Sequence, residues 1–312
     1  MFDVIGVGSN SVDHVLVLPD GPPSLLTSTK ITLRAQSIRC GGQTATTVGA
    51  CSALGLRSKY IGVVGRDDNG RRVRDALAGR GVDVTDLVEH EAATQTATIL
   101  IHPETGTRIV LSDRDPRLTL RPDELPSDVF AGAQLVHVDD VDVAMAVHAA
   151  RAAQSLGVPV TSDIDHVSER TDELLAAVTF PIFAEEVPKA LTGMTDVEGA
   201  LRKLRQRHAG VLCVTAGEHG ALALDGDRLH HQPAFPVDVC DTTGAGDVFR
   251  AGFIYGLRQA WPLPRILQFA AAAAAVSCTR LGALDGAPLI ADVEQVLKSA
   301  SGDGHAGRTK IV

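Results

Sequence analysis

Residues 241–257 constrain the fold more than any other stretch of the chain. Residues 241–247 contain no apolar side chain large enough to pack, whereas from Val248 onward apolar residues recur at helical spacing. The sequence therefore predicts a tight turn that opens directly into a buried helix.

Small residues occupy the predicted start of this helix, at Gly244, Ala245 and Gly246. The first N–H groups of a helix have no partner within it, and the helix dipole places positive charge at that end. Small side chains leave these groups open to a ligand. The pattern therefore predicts an anion site that would suit a phosphate.

Asp247 follows at a place where a carboxylate would repel a bound phosphate. Its presence there is understandable if it accepts the proton of a nucleophile that attacks the phosphate, as the base of a kinase does. An ordinary first-turn aspartate, favoured by the helix dipole, is the alternative. Residue types alone leave both interpretations open.

Composition limits the partners and the location. The formal net charge of −9, without a run of Lys and Arg, argues against nucleic acid as a partner. The chain enters an apolar run at once without a basic leader, and its longest apolar stretch is too short for a bilayer, so we expect a cytoplasmic protein without a membrane partner. Five scattered cysteines without metal-ligand spacing are expected to be free thiols.

The N-terminal run Val4 to Val7 predicts a buried strand that ends at a Gly-Ser loop. The Gly-x-Gly within it suggests a dinucleotide fingerprint, but the residues from Asp13 to Pro19 alternate instead of forming a helix, so we reject that interpretation. Asp13 follows the strand end, where open parallel sheets bind ligands.

Two segments, about 13–38 and 94–113, alternate with period two, and residues 104–107 predict a hairpin turn in the second. We expect them to form a small β-sheet lid. Strands and helices alternate along the rest of the chain, and no linker separates them. The fold class is therefore α/β, a mostly parallel sheet flanked by helices, in a single domain over residues 1–312.

Other sequence features have both a ligand-binding and a structural interpretation. The glycines of Gly41-Gly42-Gln43 precede a helix and indicate close approach by either a ligand or a strand. The acidic run 139–142 suggests either a metal site or a solvated loop. Thr215 to Gly220 suggests either a nucleotide loop or a hairpin turn. An Ala-rich helix predicted from about 264 to 279 has small side chains and could lie flat against a planar ring.

The run 241–249, Asp-Thr-Thr-Gly-Ala-Gly-Asp-Val-Phe, followed by Ala251-Gly252, resembles the C-terminal signature of the PfkB/ribokinase family of carbohydrate kinases. This signature is highly specific, and weaker matches are spread along nearly the whole chain. The resemblance implies a ribokinase-like, Rossmann-like sheet with a β-sheet lid. It also implies ATP-dependent phosphorylation of a sugar hydroxyl with Mg²⁺.

The resemblance further implies roles for individual residues. Asp247 would be the general base, and the backbone of Gly244, Ala245 and Gly246 would be the anion hole. The implied substrate residues are Ser11, Asp13, Gly41, Gly42, Gln43 and Thr46. The implied nucleotide-binding residues are Glu185, Thr215, Gly217, Glu218, Gly220, Gly246 and Ala270. A monovalent cation such as K⁺ would lie at Asp241, Thr243, Ser277, Arg280, Gly282 and Gly286, mostly on backbone carbonyls.

Two positions depart from the family pattern. Thr46 stands where relatives have Asn, and its hydroxyl cannot donate two N–H bonds to a sugar. Val187 stands where relatives have the glutamate that orients magnesium-bound water, which leaves Glu185 or Glu186 as substitutes. The segment around Ala184 is also similar to sulfofructose kinases, but the sulfonate-binding Arg and Asn correspond to Val141 and Ser112 here.

We therefore expect a sugar kinase that binds a small sugar and ATP and dimerises through its lid. A nucleoside kinase is the nearest alternative, disfavoured because the lid segments contain no aromatic residue. A sugar-binding regulator without catalysis is a second alternative, suggested by the altered magnesium motif. A dehydrogenase is a third, disfavoured because no strand and glycine-rich turn lead into a helix followed by an acidic residue.

Overall fold

The computed structural model describes residues 1–19, 30–104 and 107–302. Residues 301 and 302 are described by their backbone alone. The strands are β1 (Val4–Val7), β2 (Ser11–Val17), β3 (Ala35–Gly41), β4 (Ser58–Gly65), β5 (Leu87–His90), β6 (Thr96–Ile101), β7 (Arg108–Asp113), β8 (Val136–Asp139), β9 (Val160–Ile164), β10 (Phe180–Ala184), β11 (Leu212–Thr215), β12 (Ala221–Asp225) and β13 (Arg228–Gln232). The helices are α1 (Gln43–Ala53), α2 (Asp68–Ala78), α3 (Val143–Ser155), α4 (Thr171–Ala177), α5 (Glu186–Thr192), α6 (Val197–Leu204), α7 (Ala245–Arg258), α8 (Leu263–Cys278) and α9 (Ile290–Gly302).

The described strands include a nine-stranded sheet in the order β13-β12-β11-β10-β9-β8-β1-β4-β5. From β11 to β5 all pairings are parallel, and β12 and β13 add an antiparallel edge. The central strands β1 and β8 are buried along their whole length, as expected for a sheet covered on both faces. The prediction of a mostly parallel sheet flanked by helices is confirmed.

Helices cover the two faces of this sheet with separate apolar clusters. Apolar residues of α3, α4, α5 and α6 pack on one face, for example Met145 and Leu174. On the other face α7 and α8 pack together, with α1 and α9 beside them. Helix α7 contributes Val248 and Phe253 to these clusters, so the sequence stretch that predicted a buried helix lies within the core.

The second sheet has four strands in the order β3-β2-β6-β7. Strand β2 pairs antiparallel with β3 and parallel with β6, which pairs antiparallel with β7. Both alternating segments of the sequence thus contribute to one small sheet. The predicted alternation at Ile31–Leu33 forms no strand, because pairing begins only at Ala35. Residues 20–29 of the first segment and residues 105–106 of the predicted turn lie outside the described residues.

The C-terminal prediction was wrong over a few residues. Residues 299–312 are polar and contain glycine, which predicts frayed chain from Ser299 onward. Helix α9 instead continues to Gly302, and its apolar face, including Val293, packs against α7 and α8. Residues 303–312 of that prediction lie outside the described residues. None of the helices in the described ranges is both long and apolar enough to span a bilayer.

Close approach of α7 and α8 depends on a glycine. A Cβ atom added at Gly252 would lie 2.7 Å from the Cα of Ala270, which is closer than real Cβ contacts. Ala270 is itself completely buried. Since neither backbone has a flexible side chain that could give way, only glycine allows this crossing.

We therefore expect the substitution Gly252→Ala to lower the free energy of unfolding by about 1–3 kcal/mol, because it overpacks the helix crossing. The shift of the urea midpoint at constant slope measures this loss. Gly79→Ala is the matched control, since Gly79 ends α2 with φ −63°, a conformation that alanine adopts readily. An unfolding midpoint of Gly252→Ala equal to that of the wild type would contradict the packing argument.

Candidate active site

Polar residues gather where the parallel strands of the large sheet end. Strand β8 ends at Asp139, which lies opposite Asp163 of β9. Glu185 directly follows β10, whose last residue lies opposite Thr215 of β11. Since the carboxyl ends of parallel strands share one edge, several carboxylates line the edge where such sheets bind ligands.

The first turn of α7 is an open anion site. Gly244 precedes it with φ 78° and ψ 1°, and no side chain caps it within the described part of the chain. Ala283 leaves no space for a side chain at Gly244, because an added Cβ would lie 2.6 Å from the Cβ of Ala283. The N–H groups at Gly246 and Asp247 have no partner in the helix and are available to a bound anion.

The carboxylate of Asp247 lies in this first turn and is half-buried. Its pKa is raised to about 8, chiefly because it has lost water and also because Asp165 carries a like charge. The cations Arg250 and Arg108 act in the opposite direction on this pKa. Thr47 of α1 donates a hydrogen bond to the Asp247 carbonyl oxygen at 3.3 Å, which joins the two helices.

A buried ion cluster lies behind Asp247. The guanidinium of Arg250 is 2.5 Å from Asp163 and 3.2 Å from Asp165. Burial raises the pKa of Asp163 well above its usual value. Arg250 also lies beneath Gly246, where an added Cβ would come within 2.7 Å of its Nη1 atom. The glycine at position 246 therefore leaves room for the arginine as well as for a ligand.

Asp13, the predicted substrate residue after the first strand, is 4% exposed. Ser11 donates a hydrogen bond to it at 2.6 Å. Burial, together with the charge of Asp241, raises its pKa to about 6 despite that bond. Gly41 lies opposite Ser11 in the sheet, and a side chain there would overlap the Asp13 carboxylate.

The other predicted substrate residues begin α1. Gly42 has φ 97° and passes close to the backbone of Asn10, so it needs to be glycine. The Gln43 side chain lies close enough to Asp165 to lower the pKa of that carboxyl, so this turn approaches the cluster behind Asp247. Thr46 is completely buried, and its hydroxyl has no hydrogen-bond partner among the described residues.

Beside β1, a cavity lies between the large sheet and the loop that follows β7. Its polar lining includes Ser9, Asn10, Arg114, Asp139 and Asp142. Asp139 accepts hydrogen bonds from the backbone and hydroxyl groups of Ser9 and Thr44 and from the N–H of Val141. This carboxylate is occupied by structural bonds, and the described residues include no cluster of three or more side chains suited to a metal. The metal interpretation of the acidic run 139–142 therefore has no support.

The predicted nucleotide loop follows β11. Gly217, with φ 53°, begins a short 3₁₀ turn over Gly217–His219 that contains Glu218, and Gly220 ends it with φ 87°. The N–H of Ala216 donates to the carbonyl of Gly220 at 2.8 Å, so the loop is closed on itself. Gly217 is exposed, and a Cβ atom added there would have no atom within 4 Å, so this side of its backbone is accessible to a ligand.

Ala270, predicted to border the adenine, lies on the face of α8 that packs against Gly252 and has no exposed surface. One turn further along, Ala274 is partly exposed. Of these two alanines, Ala274 is the one accessible from outside the core.

The residues expected to hold a monovalent cation lie together around Asp241. This buried carboxylate accepts hydrogen bonds from the N–H groups of Thr243 at 2.8 Å and Gly282 at 2.9 Å. A Cβ added at Gly286 would lie 2.7 Å from the carbonyl oxygen of Gly282 and 3.3 Å from that of Ser277. Carbonyl oxygens therefore converge beside Gly286. The side chain of Arg280 instead pairs with Asp292 at 2.9 Å.

The segment that replaces the family's magnesium motif begins α5. Val187 is 3% exposed and belongs to the apolar core, so it offers no ligand. Glu185 remains partly exposed and contacts Lys189 at 3.2 Å, whereas Glu186 is largely exposed. Of the two substitutes weighed from the sequence, Glu185 is the one that directly follows a strand end.

Sequence reasoning missed Asn10, Asp163, Asp165 and Arg250. An arginine on the apolar face of a predicted buried helix was the available signal for Arg250, because buried cations need partners. Asp163 and Asp165 follow the same strand-end rule that identified Asp13. Asn10 donates to Tyr60 and to the Val63 carbonyl, both at 2.9 Å, and no local pattern indicates such a contact.

Known proteins match this chain along nearly its whole length. The pfkB family carbohydrate kinase model matches residues 9–289. Fructokinase from Klebsiella pneumoniae is 30% identical over 310 residues, which cover 90% of this chain and 95% of that protein. A crystal structure from Agrobacterium tumefaciens has a TM-score of 0.90 at 26% identity and covers 96% of this chain and 98% of its own.

Arabidopsis thaliana ribokinase, solved with ribose and ATP, has a TM-score of 0.79 at 23% identity, covering 95% of this chain and 99% of its own, and so shows the same fold. The family match begins after β1 and includes the other strands of both sheets, the first turn of α7 and the loop around Gly286, so it covers the residues of the candidate site. The chain belongs to the PfkB family of carbohydrate kinases, phosphotransferases whose acceptor is an alcohol group.

Proposed function

We propose that the chain transfers the γ-phosphate of ATP to a hydroxyl of a sugar or sugar derivative, with Asp247 as the general base. The half-buried Asp247 carboxylate in the uncapped first turn of α7 is the observation that carries this proposal. A proton acceptor and unpaired backbone donors lie within one helical turn. Phosphoryl transfer to an alcohol needs both groups, one for the nucleophile and one for the charge on the phosphoryl oxygens.

The raised pKa of Asp247 makes it a stronger base than an ordinary aspartate. At a pKa of about 8, the Asp247 carboxyl is mostly protonated at pH 7, and the ionised minority accepts the hydroxyl proton more readily than an ordinary aspartate would. The N–H groups from Gly244 to Gly246 would hold the transferring phosphoryl group. Positioning and charge stabilisation would supply most of the rate, because this transfer needs little covalent work from the protein.

The sugar would lie between the second sheet and the start of α1. Buried Asp13 would accept hydrogen bonds from its hydroxyl groups, supported by Ser11 and with Gly41 and Gly42 leaving room. Gln43 and Thr46 would add polar contacts from α1.

ATP would lie along the loop after β11, with Thr215, Gly217, Glu218 and Gly220 around it and α8 beside the base. Mg²⁺ would enter on the ATP phosphates, because this ion is commonly held by phosphates, water and one or two carboxylates. Glu185 is the carboxylate we assign to it, and the ion would neutralise phosphate charge. We also propose a cytoplasmic location, where ATP is supplied and free thiols such as Cys240 persist.

A nucleoside kinase is the second candidate, since the family includes such enzymes. Val187 in place of a carboxylate motivates a third, a sugar-binding regulator without catalysis. A panel of pentoses, hexoses, sugar acids and nucleosides, with mass detection of phosphorylated product, separates the three. A regulator would show thermal stabilisation by a sugar without product.

We expect Asp247→Asn to lower kcat by about 10²–10⁴-fold, because it removes the proton acceptor and keeps the size of the side chain. ATP affinity by calorimetry and the thermal midpoint should stay close to those of the wild type. Asp238→Asn, an exposed aspartate shortly before α7, is the control and should keep full turnover. Turnover of Asp247→Asn at the wild-type rate would show that Asp247 is not the base.

The convergent carbonyls beside Gly286 would suit a potassium ion, which would fix the loop next to the anion site. We expect KCl to raise the thermal midpoint relative to tetramethylammonium chloride of equal ionic strength, and Gly286→Ala to remove this difference because its Cβ would crowd the Gly282 carbonyl. Equal midpoints of the wild type in both salts would refute the cation site.

We propose that the chain forms a homodimer through β7 of the second sheet. All residues of this strand are exposed, including Ile109, Val110 and Leu111 at 41%, 49% and 56%, and β7 pairs with β6 alone among the described strands. An exposed apolar edge strand favours pairing with another chain.

We expect light scattering to give a dimer for the wild type and a monomer for Leu111→Glu, because a charge would be placed in the apolar interface. The control Leu289→Glu changes a leucine that is 59% exposed near α9 and should remain dimeric. A wild-type monomer at micromolar concentration, or a dimeric Leu111→Glu, would contradict the interface.

A further inference from the structure

Arg250 is a buried cation inside the catalytic helix, for which the phosphoryl-transfer mechanism described above has no use. It lies one helical turn after Asp247 and is only 2% exposed. An arginine this deep is costly unless its charge is compensated, and removing one partner of such a pair usually destabilises strongly. The chain keeps this cation directly beneath the proposed anion hole, at Gly246.

Three carboxyl groups share this one guanidinium. Asp163 and Asp165 contact it at 2.5 Å and 3.2 Å, and Asp247 is close enough for the arginine to affect its pKa. Asp163 is completely buried, and neither of its oxygens accepts a well-directed hydrogen bond from any described group. The Arg250 charge favours the ionised form of Asp163, but the loss of water outweighs it and no directed hydrogen bond from a described group stabilises a charged oxygen, whereas a neutral carboxyl can donate its proton.

The surroundings of Asp163 favour its neutral form. It has no exposed surface, and burial raises its pKa well above the usual value. Asp165 contacts the same guanidinium and Asp247 lies near enough to affect the pKa of Asp163, and carboxyl groups this close do not all ionise. Asp163 has the least water of the three and is therefore the group that holds a proton.

We propose that Arg250 and protonated Asp163 are positioning residues that hold the Asp247 carboxylate in the first turn of α7 and set the pH at which it becomes an active base. This inference rests on the proposed role of Asp247. The cation favours the ionised form of Asp247, and a neutral Asp163 adds no further negative charge beside it. Neither residue touches the substrate in this arrangement.

Other charged groups near Asp247 act on the same equilibrium. Arg108 of β7 favours the ionised form of Asp247, and Asp165 opposes it. Asp140, after β8, adds negative charge near Arg250. His137 of β8 is buried and its pKa is lowered to about 3, so it is neutral near pH 7 and adds no charge. Thr47 is the uncharged contact from α1.

A purely structural ion pair is the simplest alternative. It predicts that variants change stability and leave the pH dependence of catalysis unchanged. A network that served stability alone would be expected to satisfy all its hydrogen-bonding groups, but the Nε of Arg250 has no hydrogen-bond partner among the described residues. The pH profile of kcat/KM separates the two roles, because it reports the pKa of the free enzyme's base.

The test uses two substitutions with opposite expected effects. Arg250→Met removes the cation, so the acid limb of the kcat/KM profile should move to higher pH by about one unit or more, with a fall of about tenfold at neutral pH. Asp165→Asn removes a like charge, so the limb should move to lower pH. Because Asp165 is 37% exposed, this variant should fold even if Arg250→Met does not.

Asp163→Asn tests the proton on Asp163. If Asp163 is neutral, the amide replaces one uncharged donor by another, and the acid limb should stay within a few tenths of a pH unit. A clear move to lower pH would show that Asp163 is ionised and would overturn that part of the proposal. Asp172→Asn, on the exposed surface of α4, is the control and should change neither the limb nor the thermal midpoint by a measurable amount.

The outcomes also separate this inference from the proposed function. Full turnover by Asp247→Asn would refute the base assignment itself. Loss of turnover in Asp247→Asn, together with unmoved limbs in folded Arg250→Met and in Asp165→Asn, would overturn the positioning role alone. Opposite shifts in the two variants would support it.

Discussion

The uncapped first turn of α7 is the constraint on which the rest of the site depends. Its donors stay available only because Gly244 enters the helix from a left-handed conformation, pressed against Ala283. A capping side chain or a bulkier residue would fill the place that an anion needs. The helix is fixed in turn by its crossing with α8 at Gly252, so core packing determines where the open donors lie.

The edge of the large sheet concentrates negative charge beside a site for a negatively charged ligand. The fold manages this conflict in several ways. Asp139 is surrounded by five donors, Asp241 accepts from two N–H groups, and Asp163 contacts a guanidinium. Asp247 and Asp13 are less fully compensated by the described residues, and burial raises the affinity of both carboxyls for a proton. Structural carboxylates are thus compensated by donors, whereas these two are left with a raised proton affinity.

Local sequence patterns predicted the parts of the fold that local physics determines. The helix after Gly244, the two alternating segments and the parallel sheet all follow from spacing and residue type. The cluster of Arg250 with Asp163 and Asp165 did not follow, because its members are far apart in sequence and meet only when α7 packs on the end of β9. Ala270 illustrates the remaining difficulty: helix periodicity gives a face, but tertiary packing decides whether that face meets a ligand or a neighbouring helix.

The short connection from β1 to β2 determines how the second sheet is attached to the first. Tyr60 donates to the Gly8 carbonyl at 2.7 Å, Asp139 binds Ser9, and Asn10 is held by Tyr60 and Val63. All three connecting residues are thereby anchored to the large sheet. A rotation of the second sheet would therefore pivot beyond Asn10 and carry Asp13 with it, and it would change the distance between Asp13 and Asp247.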